Sequence, residues 1–364
     1  MVGIGLTRWH RRLRRLRRQM RNLGLDALVV SHLPNILYLT NFHGSNALLL
    51  VTPRQAVLFT DGRYRTQARH EVRAAQTIVA TDSLLAAAGE WLSSERLKPI
   101  GFEATRLGFA AYNQLRRACP TPARLVPTTN LVESLRAVKD AGEIAVIGRA
   151  ARLGSRVFTE VLSLVRPGVR ELDLAAEIEY RMKRRGATAP AFETIVASGP
   201  RAAWPHARAS RKRLGKNELV VFDLGVILAD YCSDMSRTVY LGKPSARIRR
   251  VYAAVREAQQ RAFETLRPGA AGREVDAAAR RVLEAHGLDS HFVHGTGHGL
   301  GLEIHEEPRL GKGVSMRLAP GHVVTLEPGV YIPGWGGIRI EDVVVVRHGG
   351  AERLTPTPHG LFAL

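Results

Sequence analysis

Two stretches of the chain share one hydrophobic pattern, and the other elements are arranged around them. In residues 218–242, ELVVFDLGVILADYCSDMSRTVYLG, two runs rich in Val, Leu, Ile, Tyr and Thr flank a break at 228–230, which predicts a β-hairpin. Folded symmetrically, this hairpin sets Asp223 opposite Asp234. In residues 322–346, HVVTLEPGVYIPGWGGIRIEDVVVV, folding about Gly334 sets Glu327 opposite Glu341. Like charges directly across a ladder are destabilising, so each facing pair calls for a cation between its members.

Helical periodicity precedes each hairpin in the same order. Apolar residues keep a helical period over 140–164, RPG at 166–168 stops the run, and a second helix follows at 171–185. The order recurs as a helix over 246–266, RPG at 267–269 and a helix over 273–286. Such a repeat predicts an internally duplicated C-terminal domain, whose halves close on one another and carry both acidic pairs to a common centre.

The first third of the chain reads differently. An amphipathic helix over 8–21, with Leu13, Leu16, Met20 and Leu23 on one stripe, leads into a buried strand in LDALVVSH. Turn residues at 35–38 and 41–45 precede the strands ALLLV and AVLFT, joined by TPRQ. Helical segments at 64–68, 83–97 and 108–117 then alternate with the strand-like QTIVAT, IGFEA and LVPTT, the mark of an α/β domain. The change of pattern near 131–139 divides the chain into domains 1–134 and 135–364, in keeping with a length of 364 residues.

A net charge of +20 raises nucleic acid as a partner. Arginine exceeds lysine along the entire chain, however, and no nucleic-acid-binding motif accompanies the excess. The arginines of the first helix fill its solvent face, so nucleic acid is not expected to bind. The opening residues hold no apolar core before a small-residue cleavage site, and no run is long enough to span a bilayer. A cytoplasmic protein without membrane contact is the expectation. Cys119 and Cys232 are too few and too far apart for a disulfide framework or a zinc knuckle.

Between the hairpins lies HGTGHGLGLEIHEEP, whose glycines allow close crowding around His294, His298 and His305. Four carboxylates and an imidazole form a mixed oxygen and nitrogen set suited to two divalent ions such as Mn, Co, Fe or Zn. Two such ions roughly 3.5–4 Å apart polarise a carbonyl and lower the pKa of a bridging water.

The segments ASGPRAAWPH, DLGVILADYCSDMSRT, HGTGHGLGLEIHEEPR, TLEPGVYIP and GIRIED follow one another through the C-terminal half, and LPNILYLTNFHGSNALLLV and LFTDGRY lie in the N-terminal half. With them the chain resembles the pita-bread metallopeptidases, which include methionine aminopeptidase, Xaa-Pro aminopeptidase and Xaa-Pro dipeptidase (prolidase). It is nearest the two proline-specific members. The resemblance implies an α+β protein in which a C-terminal pita-bread (creatinase/aminopeptidase) fold of pseudo-twofold halves follows a smaller creatinase-like α/β domain. That smaller domain is then expected to wall the cleft and to make homodimer contacts.

The resemblance also implies roles. Asp234 and Glu341 are expected to bridge two ions, Mn foremost, with Asp223 on one ion and His298 and Glu327 on the other. Glu327 is expected to take the proton as the bridging hydroxide attacks. His206 and His305 would contact the substrate carbonyl and the developing tetrahedral oxygen. His294 would line the pocket for the proline ring, and Arg309 matches an arginine that in dipeptidases holds the C-terminal carboxylate. Arg339 joins this substrate-side set or, two positions before Glu341 on the same strand face, supports the acids from behind.

Three positions depart from the family pattern. Trp204 stands where a smaller aliphatic residue is common and is expected to narrow or recast the pocket beside His206, while Ala207 and Asp230 replace glycines. None of the five ligand positions is altered. The expected activity is that of a Xaa-Pro aminopeptidase acting on short peptides with proline second. The alternative is a Xaa-Pro dipeptidase, and a more remote one is a catalytically silent pita-bread protein that binds a partner.

Overall fold

In a computed structural model, which describes residues 7–95, 97–119 and 124–364, the stripe of the first helix, Arg8–Asn22, faces inward. Leu13, Leu16 and Met20 are buried. The opening residues 1–6 and Arg96 of the expected helix 83–97 lie outside the described residues. Leu23 is not part of the stripe: it caps the helix and is 55% exposed. Arg12 departs from the solvent face in the other direction. It is buried with its guanidinium 4.0 Å from the centre of the Tyr38 ring, and Nη1 donates to Tyr38 O at 2.9 Å.

The chain forms two compact units, Met1–Arg136 and Ala137–Leu364. The first holds a six-stranded sheet in the spatial order Gln76–Val79, Ala56–Thr60, Ala47–Val51, Ala27–Val30, Ile100–Glu103 and Leu125–Thr128. The strand Ala47–Val51 is antiparallel to both neighbours, and the other pairings are parallel. The turn expected at 35–38 is instead inside a helix, Leu33–Thr40, because Pro34 in its first turn is preset to helical φ and Asn41, at φ 66°, ends it.

The second unit is built twice over. Helices Ala141–Val161 and Glu171–Arg184 cover the sheet strands Leu219–Leu224 and Met235–Tyr240 through Phe158, Ile178, Met182, Val220 and Phe222. Helices Ala246–Thr265 and Gly272–Ala285 cover Val323–Leu326 and Asp342–Arg347 through Val255, Val275, Leu283, Val324 and Val344. The two RPG turns are copies in detail, with Gly168 at φ 91° and Gly269 at φ 85°. Gly168 N–H donates to Leu214 O and Gly269 N–H to Leu318 O, both at 2.8 Å, and the guanidinium groups of Arg213 and Arg317 return bonds of 2.7 Å to the carbonyls of Gly168 and Gly269. Truncating Phe158, which meets Phe222 edge-on with centroids 5.7 Å apart, is expected to cost this unit about 3–5 kcal/mol. Urea unfolding of Phe158→Ala checks this.

Register decides which acids meet. In the first hairpin Ala229 and Asp230 take φ 45° and 73°, the left-handed pair of a two-residue turn. The turn is therefore centred one residue beyond the symmetric fold, and Asp223 pairs with Ser236 in place of Asp234. A slip of two residues keeps the face, so Asp234 still projects on the side of Asp223. The second hairpin has the expected register: Leu326 pairs with Asp342 and Gly329 with Arg339, which leaves Glu327 and Glu341 opposite one another between two short ladders.

Candidate metal centre

The two hairpins are joined edge to edge. Glu341 N–H donates to Ser236 O at 3.1 Å, and the Thr238 hydroxyl both donates to Arg339 O at 3.1 Å and accepts from Arg339 N–H at 3.0 Å. A third strand, Gly297–Gly299, places His298 between glycines where any Cβ would strike the carbonyls of Thr325 and Glu307. The residues Asp223, Asp234, His298, Glu327 and Glu341 thereby line one cavity of about 510 Å³, together with His206, His294, His305, Arg309 and Arg339.

Ligand atoms of Asp234, His298 and Glu341 lie within 4.8 Å of one another. His298 Nε2 is 3.4 Å from Glu327 Oε1 and 3.7 Å from Asp234 Oδ2. Its Nδ1–H is committed to Gly299 O at 3.1 Å, which leaves the Nε2 lone pair facing the acids. Asp223 stands outside the tightest three: Oδ2 accepts from Arg339 Nη2 at 2.6 Å, whereas Oδ1 is buried without a hydrogen-bond partner among the described residues. Asp234 Oδ1 is likewise unpartnered. Orphaned carboxylate oxygens are rare in protein interiors, and here they fit a cation.

Electrostatics point the same way. Burial raises the Asp234 carboxyl well above the usual range, and the charges of Glu341, Asp223 and Glu327 add to it. Glu341 is raised by the same burial and by Glu327 and Asp223. Burial carries Glu327 to about 7, against the pull of Arg339. His298 is lowered to about 3, first by burial and then by neighbouring His305, and so is neutral at physiological pH, the form that ligates metals.

The other predicted residues fall in two groups. His206, His305 and Arg309 are exposed on the cavity wall, with the His305 ring 4.4 Å from that of His298. His294 and Arg339 are occupied by protein partners. His294 Nδ1–H donates to Gly295 O at 2.8 Å, and its Nε2 accepts from the Tyr331 hydroxyl at 2.9 Å. Arg339 donates to Asp223, to Tyr331 Oη at 2.8 Å, to Pro205 O at 3.1 Å and to Ser236 Oγ at 2.7 Å, which holds it against the acids. Trp204 does not narrow the pocket: it is 58% exposed beneath the Arg201 guanidinium, and Pro205 and His206 supply the wall.

Three residues of this network were not singled out from sequence. Ser236 donates to Glu341 Oε2 at 2.6 Å, Thr325 Oγ1 donates to Glu327 Oε1 at 3.3 Å while accepting from His298 N–H at 3.1 Å, and Tyr331 joins His294 to Arg339. The one signal for Ser236 is its place two residues after Asp234, hence on the same strand face.

Comparison with known proteins agrees with this architecture. The family model of metallopeptidase family M24 matches residues 145–348, and that of the creatinase/prolidase N-terminal domain matches 12–138. A Xaa-Pro dipeptidase of Pyrococcus furiosus is 43% identical over 64% of this chain and 67% of its own. Among solved structures, a Xaa-Pro dipeptidase from Bacillus anthracis superposes with a TM-score of 0.95 at 36% identity, over 98% of this chain and 100% of that one. An X-Pro aminopeptidase from Thermotoga maritima gives 0.88 at 33%, over 95% of this chain and 100% of that one. With a creatinase-type N-terminal domain ahead of a duplicated pita-bread domain, the chain belongs to metallopeptidase family M24.

Proposed function

We propose that the protein is a metal-dependent Xaa-Pro dipeptidase, hydrolysing the bond before a C-terminal proline. The observation that carries the reading is the convergence of three buried carboxylates, the partly buried Glu327 and a neutral histidine on a cavity whose wall also holds Arg309. The sequence alone ranked an aminopeptidase first. The similar proteins favour the dipeptidase, since three of them bear that name. The unpartnered oxygens of Asp223 and Asp234 fit a pair of divalent ions, Mn foremost, held by Asp223, Asp234, His298, Glu327 and Glu341. Such ions would polarise the scissile carbonyl and make a water acidic enough to attack near neutral pH.

The chain's own groups do the rest. Glu327 takes a proton from the attacking water and passes it to the proline nitrogen as the bond breaks. His206 and His305 donate to the oxygen that gains charge in the tetrahedral state. The substrate carboxylate pairs with Arg309, and the proline ring rests against His294. A homodimer is the working assembly in this reading.

The test compares a free Xaa-Pro dipeptide with a Xaa-Pro-Xaa tripeptide, using Mn-loaded and chelated protein. The dipeptide is expected to be preferred and its cleavage lost on chelation. Arg309→Ala is expected to raise KM for the dipeptide by about 10- to 100-fold, the worth of a charge-assisted bond. Preference for the tripeptide would instead support the aminopeptidase reading, which the Thermotoga maritima neighbour keeps in view.

A further inference from the structure

Each half of the duplicated unit buries a carboxylate on its second helix that the chemistry above does not use. Glu171 is 0% exposed and Asp276 is 1% exposed, and neither lines the cavity. Glu171 gathers donors from both ends of one loop. Its Oε1 accepts from Ser198 N–H and the Ser198 hydroxyl, both at 2.8 Å, and its Oε2 from Ser210 N–H at 3.1 Å, the Ser210 hydroxyl at 2.7 Å and Arg201 Nε at 3.1 Å. Arg201 then reaches on to Arg208 O, two residues past His206.

The second half repeats the wiring. Asp276 Oδ1 accepts from Thr296 N–H at 3.0 Å and the Thr296 hydroxyl at 2.8 Å, and its Oδ2 accepts from Arg280 Nε at 2.7 Å. Arg280 reaches on to Phe292 O at 3.0 Å and to His294 O. In both halves a buried carboxylate takes the amide and hydroxyl of a Ser or Thr, and an arginine paired with it grips a carbonyl at or near a cavity histidine.

A buried ion pair adds little net stability compared with apolar packing, because desolvation offsets the attraction. What it does supply is a defined position for every group it binds. The need is unequal in the two halves. The His206 ring has no hydrogen bond among the described residues, so the backbone alone aims it, whereas the His294 ring is also held by Gly295 O and Tyr331.

We infer that Glu171 with Arg201, and Asp276 with Arg280, are duplicated positioning units, the first setting His206 and the second His294 against the substrate. This rests on the dipeptidase reading for the roles of the two histidines. Arg201→Met is expected to lower kcat/KM on a Xaa-Pro dipeptide by about 10- to 100-fold, chiefly in kcat, with the bound metal per chain unchanged. In a His206→Ala background the same substitution should cost nothing further. Arg280→Met should give a smaller loss, mainly in KM, that vanishes in a His294→Ala background. Should Arg201→Met fail to fold, Ser210→Ala carries the same cycle.

A second readout needs no turnover. In histidine-ring 1H–15N spectra of the metal-free protein, Arg201→Met should move the His206 signals and Arg280→Met those of His294. Losses that stay at full size in the histidine-free backgrounds, or ring signals that do not move, would overturn the inference. If the unaltered protein cleaves no Xaa-Pro peptide, the proposed function fails, and the spectra still decide whether the units position the rings.

Discussion

Asp234→Asn is expected to abolish peptide hydrolysis, by about a thousandfold or more, and at the same time to make the metal-free protein more stable. The two effects share one cause. Asp234 sits 3.7 Å from His298 Nε2 with one oxygen unpartnered, and Glu341, Asp223 and Glu327 all push its carboxyl pKa up. A neutral amide removes one of the mutually repelling charges, so the metal-free fold relaxes. The amide also exchanges a ligand oxygen for an N–H donor, and the set proposed to hold two ions through four carboxylates is left with three. In the proposed mechanism, loss of that site would remove carbonyl polarisation and water activation together, which is why the expected rate loss is so large. Metal content by mass spectrometry, steady-state kinetics and thermal melts of the chelated proteins read all three quantities. Retention of both metals with full activity would mean that the site is elsewhere.

Stability of the metal-free protein is expected to fall as pH rises above about 6.5. The sign follows from proton linkage. Burial raises Glu327 from 4.5 to about 7, so between those values the folded state holds a proton that the unfolded one has lost, and its contribution to stability falls with each pH step, levelling off above about 7. Asp234 and Glu341 are raised in the same direction. The histidines act oppositely but at lower pH. Burial lowers His294 to about 4, His298 to about 3 and His322 to about 4, so their contribution is lost as pH falls below 6.5, where the unfolded chain binds protons that the folded one refuses. Above 6.5 the raised carboxylates still differ between the two states, and each that holds its proton in the folded chain alone costs on the order of 1.4 kcal/mol for every pH step of one. Glu327→Gln should lessen the fall below about pH 7, while Asp234 and Glu341 sustain it above. Added Mn should reverse its slope, since the ions favour the ionised acids. Melting temperatures in chelator across pH 5 to 8.5 test the claim, and a limb that stays flat in the unaltered protein would remove the acidic cluster as its source.

Local physics explains which expectations held in the fold. The apolar runs, the RPG stops and the alternating strands of the first unit are decided by residues within a few positions of one another, and they appear where the pattern put them. Expectations failed where a local turn or a neighbour distant in sequence intervened. Leu23 kept helical spacing, yet the helix ended one residue before it. Arg12 lay on a polar face but found Tyr38 to cover it. The first hairpin was placed two residues out of register because the chain puts Ala229 and Asp230, and no glycine, in the left-handed positions of the turn.

The site divides along the same line. Residue types, the duplicated order of elements and the side on which each acid projects follow from the sequence by itself, because strand alternation survives a two-residue slip and a repeat can be read without knowing how its copies meet. Only the folded chain decides that Ser236 bonds Glu341, that Arg339 is taken up by Asp223 and Tyr331, and that Trp204 points to solvent. Most of these contacts join residues about a hundred positions apart, where the sequence carries no periodicity and side-chain direction depends on how two hairpin edges pack.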